Sequence, residues 1–298
     1  MSEGETLPVT VVIPVKNEDR NLPACLAALD GFSEVVVVDS NSSDATVAIA
    51  ERSGARVLQF RWDGKFPKKR NWVLQTFPFA TPWVLFLDAD EIATAEFKTA
   101  LGSALQGTET AGFWLQYRNH FLDRELKHGV EQRKLALLRV GAGYYEKIED
   151  DRWSDLDMEV HEHPILRGQI GTIAAPLLHR DFRGLHHFIA RHNDYSTWEA
   201  HRYMALRGDQ RAWSKLTRRQ KIKYGFISHW WFAPVYFLAT YILKRGFLDG
   251  WAGFVHAAMK MGYFFHIYCK IRAMNESKRA GAFAARRPAP AQLTSSSS

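Results

Sequence analysis

The first 90 residues alternate apolar, strand-like runs with helical segments, and two of those runs end on a carboxylate. Val9–Val15 is rich in β-branched residues and carries Pro14 near its end, which reads as a buried strand. Asp19–Leu29 sets Leu22, Cys25, Leu26 and Leu29 on one helical face. Glu34–Val38 is a second strand, four valines followed by Asp39, and Ser43 or Asp44 can cap a helix running to about Ser53. Arg56–Phe60 reads as a third strand, Pro67–Phe77 as a basic helix, and Trp83–Leu87 as a fourth strand followed by Asp88. Unbroken apolar strands alternating with helices imply a parallel sheet covered on both faces. Ligands of such α/β sheets sit at the carboxyl ends of the strands, where Asp39 and Asp88 fall.

The pattern changes from about Ala111. Phe113–Tyr117 and Lys134–Val140 look like strands flanking a polar excursion, Asn119–His128. Residues 146–163 are acidic and irregular, as expected of a loop beside a site. A run of acids such as Glu149–Asp157 is otherwise just a solvated loop. Gly184–Met204 reads as a long amphipathic helix. Arg211–Lys223 holds six basic residues in 13, and two aromatic-rich stretches follow, Gly225–Leu243 and Gly250–Cys269. The end of the chain, rich in Ala, Pro and Ser from Ser277, has the composition of a disordered tail. There is no internal repeat.

Leu85-Phe86-Leu87-Asp88-Ala89-Asp90-Glu91 carries the strongest local chemistry. An apolar strand delivers two carboxylates, one residue apart, into the space beyond a sheet. Hard divalent ions such as Mg²⁺ or Mn²⁺ take oxygen ligands and share them with substrate phosphates. The alternative is a solvated turn with incidental acids. Asp39 ends the strand of Val36-Val37-Val38 and can accept hydrogen bonds from a base or ribose. Ser40 to Thr46 after it favour helix capping.

Three segments, in order, resemble the motifs of family 2 inverting glycosyltransferases: Ile13-Pro14-Val15-Lys16-Asn17-Glu18, Val38-Asp39-Ser40-Asn41-Ser42-Ser43-Asp44-Ala45-Thr46 and Leu87-Asp88-Ala89-Asp90-Glu91. The resemblance covers about the first 120 residues. It implies a GT-A nucleotide-diphospho-sugar transferase fold, α/β in class, here followed by a mostly helical, membrane-associating C-terminal part. Trp62-Asp63-Gly64-Lys65-Phe66-Pro67-Lys68-Lys69-Arg70-Asn71-Trp72 is similar to a narrower branch containing bacterial lipopolysaccharide-core and exopolysaccharide enzymes. Many family members have a Gly-rich segment ending in Ala-Arg-Asn there, and this chain has Lys68-Lys69-Arg70-Asn71. The resemblance implies that Pro14 and Asn17 border the base pocket and that Asp39 holds the nucleobase, usually uracil. It implies that Asp88 faces ribose or metal and that Asp90 ligates a Mg²⁺ or Mn²⁺ between the diphosphate oxygens. Lys68 and Arg70 are candidates for the donor phosphates, with a solvated basic helix face as the alternative. The domains implied are a catalytic domain over 1–183, a helical region over 184–275 and a tail over 276–298.

An inverting transfer is one in-line displacement, in which a carboxylate takes the acceptor hydroxyl proton as the diphosphate leaves. Glu159-Val160-His161-Glu162-His163-Pro164 supplies candidates. Many relatives show a similar Val-His-Glu, which favours Glu162 as base, with Glu159 and Asp157 as alternatives. The His-Glu-x-x-His spacing of a zinc site is absent around His161 and His163, and no cysteine is near. His179, in Leu178-His179-Arg180-Asp181, resembles a late histidine that reaches the metal or diphosphate in this fold. A buried structural histidine is the alternative.

Charge divides the chain. Residues 1–206 carry 23 Lys and Arg against 29 Asp and Glu, a net of −6, whereas residues 207–298 carry 16 against 3, a net of +13. A basic end suits an anionic partner. With Trp230, Trp231, Tyr236, Tyr241 and Trp251 beside it, the expected partner is an anionic membrane surface and not nucleic acid. Soluble packing and a true span are the alternatives. Met1–Pro8 lacks the basic start and apolar run of a signal peptide, and Cys25 and Cys269 suggest no disulfide framework. The expected location is therefore the cytoplasmic face of the inner membrane, as a peripheral or monotopic protein. The function expected is metal-dependent transfer from a nucleotide sugar, UDP-hexose by family habit, to a lipid-linked or polysaccharide acceptor. A lipid- or nucleic-acid-binding module and a processive polysaccharide synthase relative are the competing readings. Against the latter, a Gln-x-x-Arg-Trp motif and clear spans are missing. No Gly-rich, Arg-bearing phosphate loop marks a nucleotidyltransferase.

Overall fold

The structure is a computed structural model and describes residues 6–285 apart from 151, 152, 155, 160 and 161. The chain divides into two compact units. One comprises the residues through Ala190 together with Leu238–Ala258, the other Arg191–Phe237 together with the residues from Met259 on.

The first unit is built on strands β1 (Leu7–Val15), β2 (Phe32–Asp39), β3 (Arg56–Gln59), β4 (Trp83–Phe86), β5 (Glu91–Ile92), β6 (Gly112–Phe121), β7 (Arg124–Leu126), β8 (Arg133–Arg139), β9 (Gly143–Tyr145), β10 (Pro164–Leu166) and β11 (Ile170–His179). Between them run α1 (Leu22–Ala27), α2 (Thr46–Arg52), α3 (Lys69–Thr76) and α4 (Ala95–Leu105). The strand order is β3-β2-β1-β4-β8-β6-β11-β5, with β7 folded back on β6 and β9–β10 forming a small separate ladder. The first four strands are parallel, as the alternation predicts. From β8 on the sheet is mixed: β8 runs antiparallel to β4 and β6, β11 parallel to β6, and β5 antiparallel to β11.

Period-2 alternation sorts the strand residues to two faces. Val9, Val11, Ile13, Val37, Leu85 and Leu87 pack with Leu22, Cys25, Phe97 and Leu101 of α1 and α4. Val12, Val36, Val38, Val84 and Phe86 pack on the other face with Val73 and Phe77, from α3 and its end, and with Tyr145. A proline inside a central strand is unusual because it cannot donate to the ladder. Pro14 is tolerated because β4 pairs with β1 only as far as Val12↔Phe86. Beyond it the Leu87 N–H closes on the Val12 carbonyl, and the β4 side of β1 at Pro14 has no ladder left to serve. The two strands thus part at their carboxyl ends, on the side where the connectivity reverses direction, which is where α/β sheets take their ligands.

The back of the chain holds α5 (Gly184–Leu206), α6 (Gln210–Lys215), α7 (Arg218–Phe226), α8 (Phe232–Phe237) and α9 (Gly250–Ala285). A π-helical turn, Leu238–Leu243, and a 3-10 turn, Gly246–Asp249, lie between the last two. The apolar stretch Gly225–Leu243 is therefore not one segment. It is cut after α7, and the chain turns again at Arg245, which has φ +58°. Among the described residues no helix is long and apolar enough to cross a membrane. Two expected boundaries move. Leu238–Ala258 belongs with the sheet unit, because the Asp249 carboxylate takes backbone N–H bonds from Lys127 and His128 beside β7. The helix α9 runs on past Ser277 to Ala285, through a sequence rich in Ala, Lys and Arg that favours helix; residues 286–298 lie outside the described ones. The second unit has its own core of Ala200, Leu206, Leu216, Tyr224, Ile227, Ile267 and Ile271.

Candidate active site

The loops after β1 and β2 are bonded to each other. Asn17 and Asn41 take left-handed backbone conformations, which Asn tolerates better than most residues. The Asn17 side-chain oxygen accepts the Ser43 N–H at 2.8 Å, and its own N–H donates to Ser42 Oγ at 2.8 Å. Thr46 Oγ1 accepts the Glu18 N–H at 2.8 Å, and Asp44 accepts the N–H groups of Thr46 at 3.0 Å and Asp19 at 3.2 Å. Pro14 is buried within β1, in register with Val38. Asp39 is 1% exposed and accepts the Ser42 N–H at 3.1 Å and the Ser42 hydroxyl. A carboxylate has about four acceptor positions, so these bonds leave capacity for a further donor.

The carboxylates after β4 form the centre. Oxygens of Asp88, Asp90 and Glu91 lie within 4.8 Å of one another. Lys134, reaching in from β8, contacts Asp88 at 2.6 Å and also Glu91, while Arg70 contacts Asp88 at 2.7 Å. Burial acts to raise the Asp88 pKa, but Lys134 and Arg70 outweigh it and hold the carboxyl well below the usual carboxylate range. Burial raises Glu91, and the charges of Asp88 and Asp90 add to it against the pull of Lys134. Glu91 also accepts the Asp88 N–H at 3.1 Å and the Tyr117 hydroxyl at 3.4 Å.

The pairing of β11 with β5 places His179 opposite Glu91 and brings its Nε2 to 3.4 Å from Asp90. Its Nδ1 lies 3.1 Å from the Asn119 side-chain oxygen, an acceptor, so Nδ1 carries the proton. Asn119 thereby fixes the ring with Nε2 toward Asp90, in the way a hydrogen bond on the far nitrogen orients a metal-binding histidine. Burial lowers the imidazole pKa, but Asp90 prevails and raises it. This donor set, carboxylate oxygens with one imidazole, fits Mg²⁺ or Mn²⁺. It does not resemble a thiolate-rich zinc site, and His161 of that reading lies outside the described residues.

The basic start of α3 is not a solvated face. Lys68, 4% exposed, pairs with Asp150 at 2.6 Å and Glu162 at 2.9 Å. Lys69, 2% exposed, donates to the Val15 carbonyl at 2.9 Å and faces Asp157 at 3.4 Å. Arg70 stacks on the Tyr145 ring and donates to the Glu159 carbonyl. Charges leave water only when paired, and residues 146–163 supply the pairs. Among the described acids of that stretch, Asp150, Glu159 and Glu162 are buried rather than solvated. Glu159 accepts the N–H groups of Arg70 at 2.8 Å and Asn71 at 2.9 Å, so it caps the first turn of α3. Glu162 has Lys68 as its partner.

Glu91, Lys134, Tyr117, Asn119 and Arg183 complete the surroundings and were not among the expected site residues. Arg183 joins Glu18 at 2.6 Å and Asp181 at 2.9 Å and approaches Asp90 at 3.9 Å. Glu91 could have been found from its place beside Asp90. The others reach the carboxylates after β4, or the groups beside them, from far along the sequence and carry no local pattern.

The model of the family described as Glycosyl transferase family 2 matches residues 10–166. A protein described as lipopolysaccharide core biosynthesis glycosyltransferase LpsC, from Rhizobium meliloti, is 28% identical over 278 residues, covering 89% of this chain and 92% of the relative. An uncharacterized glycosyltransferase of Rickettsia bellii is 25% identical over 268 residues, covering 86% and 83%. A solved glucosyl-3-phosphoglycerate synthase from Mycobacterium tuberculosis, in complex with Mn²⁺, UDP and glucosyl-3-phosphoglycerate, is 26% identical at a TM-score of 0.30 over 39% of this chain and 45% of that one. The family model takes in more than half of the chain, from the second residue pair of the β1–β4 ladder through the carboxylate cluster to the end of β10. The chain belongs to glycosyl transferase family 2 and is a glycosyltransferase that takes its sugar from a nucleotide-sugar donor.

Proposed function

We propose that the chain transfers a hexose from a UDP-sugar, with inversion, to a lipid-linked acceptor of lipopolysaccharide or exopolysaccharide assembly, at the cytoplasmic face of the inner membrane. The observation that carries this is the cluster of Asp88, Asp90 and Glu91 with His179 set beside Asp90 by strand pairing. Asp90, Asp88 and His179 would hold Mg²⁺ or Mn²⁺, and the ion supplies positive charge for the departing diphosphate. Lys134 and Arg70 already bracket Asp88 and so orient its carboxylate. Asp39, with Pro14 and Asn17 beside it, would border the uracil. Lys68 and Arg70 would answer the charge of the donor phosphates, Arg70 from beside Asp88.

Glu162 is the base in this reading. Glu159 is committed to the N–H groups of α3, whereas Glu162 faces a side chain, that of Lys68. The acceptor class rests on the likeness to LpsC, whose description names lipopolysaccharide core biosynthesis, and on the basic, aromatic back of the chain. Arg211, Lys215, Arg218, Arg219 and Lys221 are exposed there, and Trp230 is 64% exposed.

Titration calorimetry with UDP-glucose tests the core of the proposal. Binding is expected to tighten at least about tenfold with Mn²⁺, a difference of about 1.4 kcal/mol, and the Asp90→Asn variant is expected to lose that gain while keeping its fold. Equal affinity with and without the ion would refute the metal role.

A further inference from the structure

The segment Leu238–Trp251 shows solvent a set of side chains that its own unit does not bury. Leu243 is 80% exposed, Trp251 70%, Leu248 55% and Ile242 48%. Lys244 and Arg245, also exposed, sit at the turn between the π-helical and 3-10 turns.

This is not a loose loop. The Asp249 side chain, almost fully buried, accepts the N–H groups of Lys127 at 3.2 Å and His128 at 2.9 Å. The Gly129 N–H donates to the Lys244 carbonyl at 3.0 Å. Gly246 lets the turn close, for a Cβ there would lie 2.9 Å from the Thr240 carbonyl oxygen. Behind the exposed residues Tyr241 packs on Phe254 at 5.7 Å, and Phe254 on Trp251 at 5.6 Å. Polar bonds thus fix the backbone of the tip while its largest apolar side chains point away from the core.

We propose that this tip inserts into a lipid bilayer bearing anionic headgroups. Leucines and a tryptophan suit the boundary between headgroup and acyl chain, where tryptophan is enriched. Lys244 and Arg245 can lay their stems along apolar surface and keep their charges among phosphates. A tip already ordered by Asp249 loses little conformational freedom on inserting. The inference rests on the membrane reading above and adds where contact is made.

The test uses the full chain and vesicles of phosphatidylcholine with phosphatidylglycerol. The wild-type chain is expected to co-sediment, and the variant Leu243→Ser/Leu248→Ser/Trp251→Ser to bind at least about tenfold more weakly. Circular dichroism and donor hydrolysis are expected to be unchanged in that variant. Independently, lipids brominated high on the acyl chain are expected to quench wild-type fluorescence more than that of Trp251→Phe. A wild-type chain that stays in the supernatant sinks the membrane reading and the tip with it. Equal vesicle binding by wild type and triple variant, with equal quenching of wild type and Trp251→Phe, overturns the tip alone. Sedimentation velocity that finds a wild-type dimer lost in the triple variant, with vesicle binding unchanged, would assign the tip to a second copy instead.

Discussion

Asp88 and Asp90 stand two positions apart and keep different company. Asp88 is bracketed by Lys134 and Arg70, whereas Asp90 faces His179 and, further off, Arg183. In the proposed site both would meet the ion, Asp88 with its carboxylate already held by two cationic side chains and Asp90 from beside an imidazole. Glu162 and Glu159 divide in a similar way, one against a lysine and the other against backbone N–H groups. Replacing Glu162 with Gln keeps the shape and removes the proton acceptor. Turnover is expected to fall by roughly 10²–10⁴-fold with donor affinity nearly unchanged; near-normal turnover would move the role to Asp157 or Glu159. Glu18 governs a pH effect. Burial lifts its carboxyl from the ordinary 4.5 to about 7, against the pull of Arg183 and the Asn21 hydrogen bond. Folding therefore favours the protonated form, so this contribution is complete below pH 4.5 and is lost as pH rises through 7. Unfolding free energies from urea titrations across that window are expected to fall in the wild-type chain relative to Glu18→Gln, by up to about 3 kcal/mol. Parallel pH profiles would show that Glu18 is not the group responsible.

At the scale of elements, the decisive join is between α3 and the end of β9, where the loop 146–163 begins. Asn71 is fully buried and spends both ends of its amide on Tyr145, donating to its carbonyl at 2.9 Å and accepting its N–H at 2.9 Å. Asn71→Ala leaves both backbone groups of Tyr145 buried without these bonds. A loss of about 2 kcal/mol is expected, read by urea unfolding, together with faster proteolysis within 146–163. Unchanged stability would mean that the loop is held by the ion pairs of Lys68 and Lys69 alone. The parallel strands were legible in the sequence because period and composition are local. The first helix is shorter than its apolar face suggested, since Asn21 turns its side chain to Asp181 and to the Phe182 N–H instead of continuing a helix toward Asp19. The antiparallel half of the sheet was not legible, because strand order is set by partners far along the chain. Lys134 illustrates the limit: it meets Asp88 from 46 positions away, and nothing near Lys134 announces it. The acids of 146–163 were visible, but that Asp150, Asp157, Glu159 and Glu162 turn to the start of α3 depends on a fold that composition does not encode.

Over the whole molecule, the division of charge and the exposed aromatic residues belong together in the proposed membrane role. The basic run does not act as one block, because Lys223 is drawn to the buried Glu199 at 2.5 Å. Neutralising Arg218, Arg219 and Lys221 is expected to weaken binding to anionic vesicles and to flatten its salt dependence, at roughly 1 kcal/mol per charge. Donor hydrolysis is expected to be spared, and vesicle binding unaffected by the three changes would remove the run from the interface. The sheet itself carries a consequence for how activity arises. Four strand spacings, about 19 Å in a flat sheet, separate β4 from β5 in the strand order. The chain from Phe86 to Glu91 includes a turn closed by the Glu91 N–H on the Asp88 carbonyl and reaches at most about 14 Å. The intervening strands must therefore curve round until β11 meets β5. A chain growing from its amino end makes both aspartates early but gains their imidazole partner only when residue 179 has been added and β11 has slotted in beside β6. A nascent or prematurely ended chain lacking β11 would thus carry the acidic half of the proposed ion site with no means of completing it, and on that proposal sugar transfer would begin only once the front unit has been made whole.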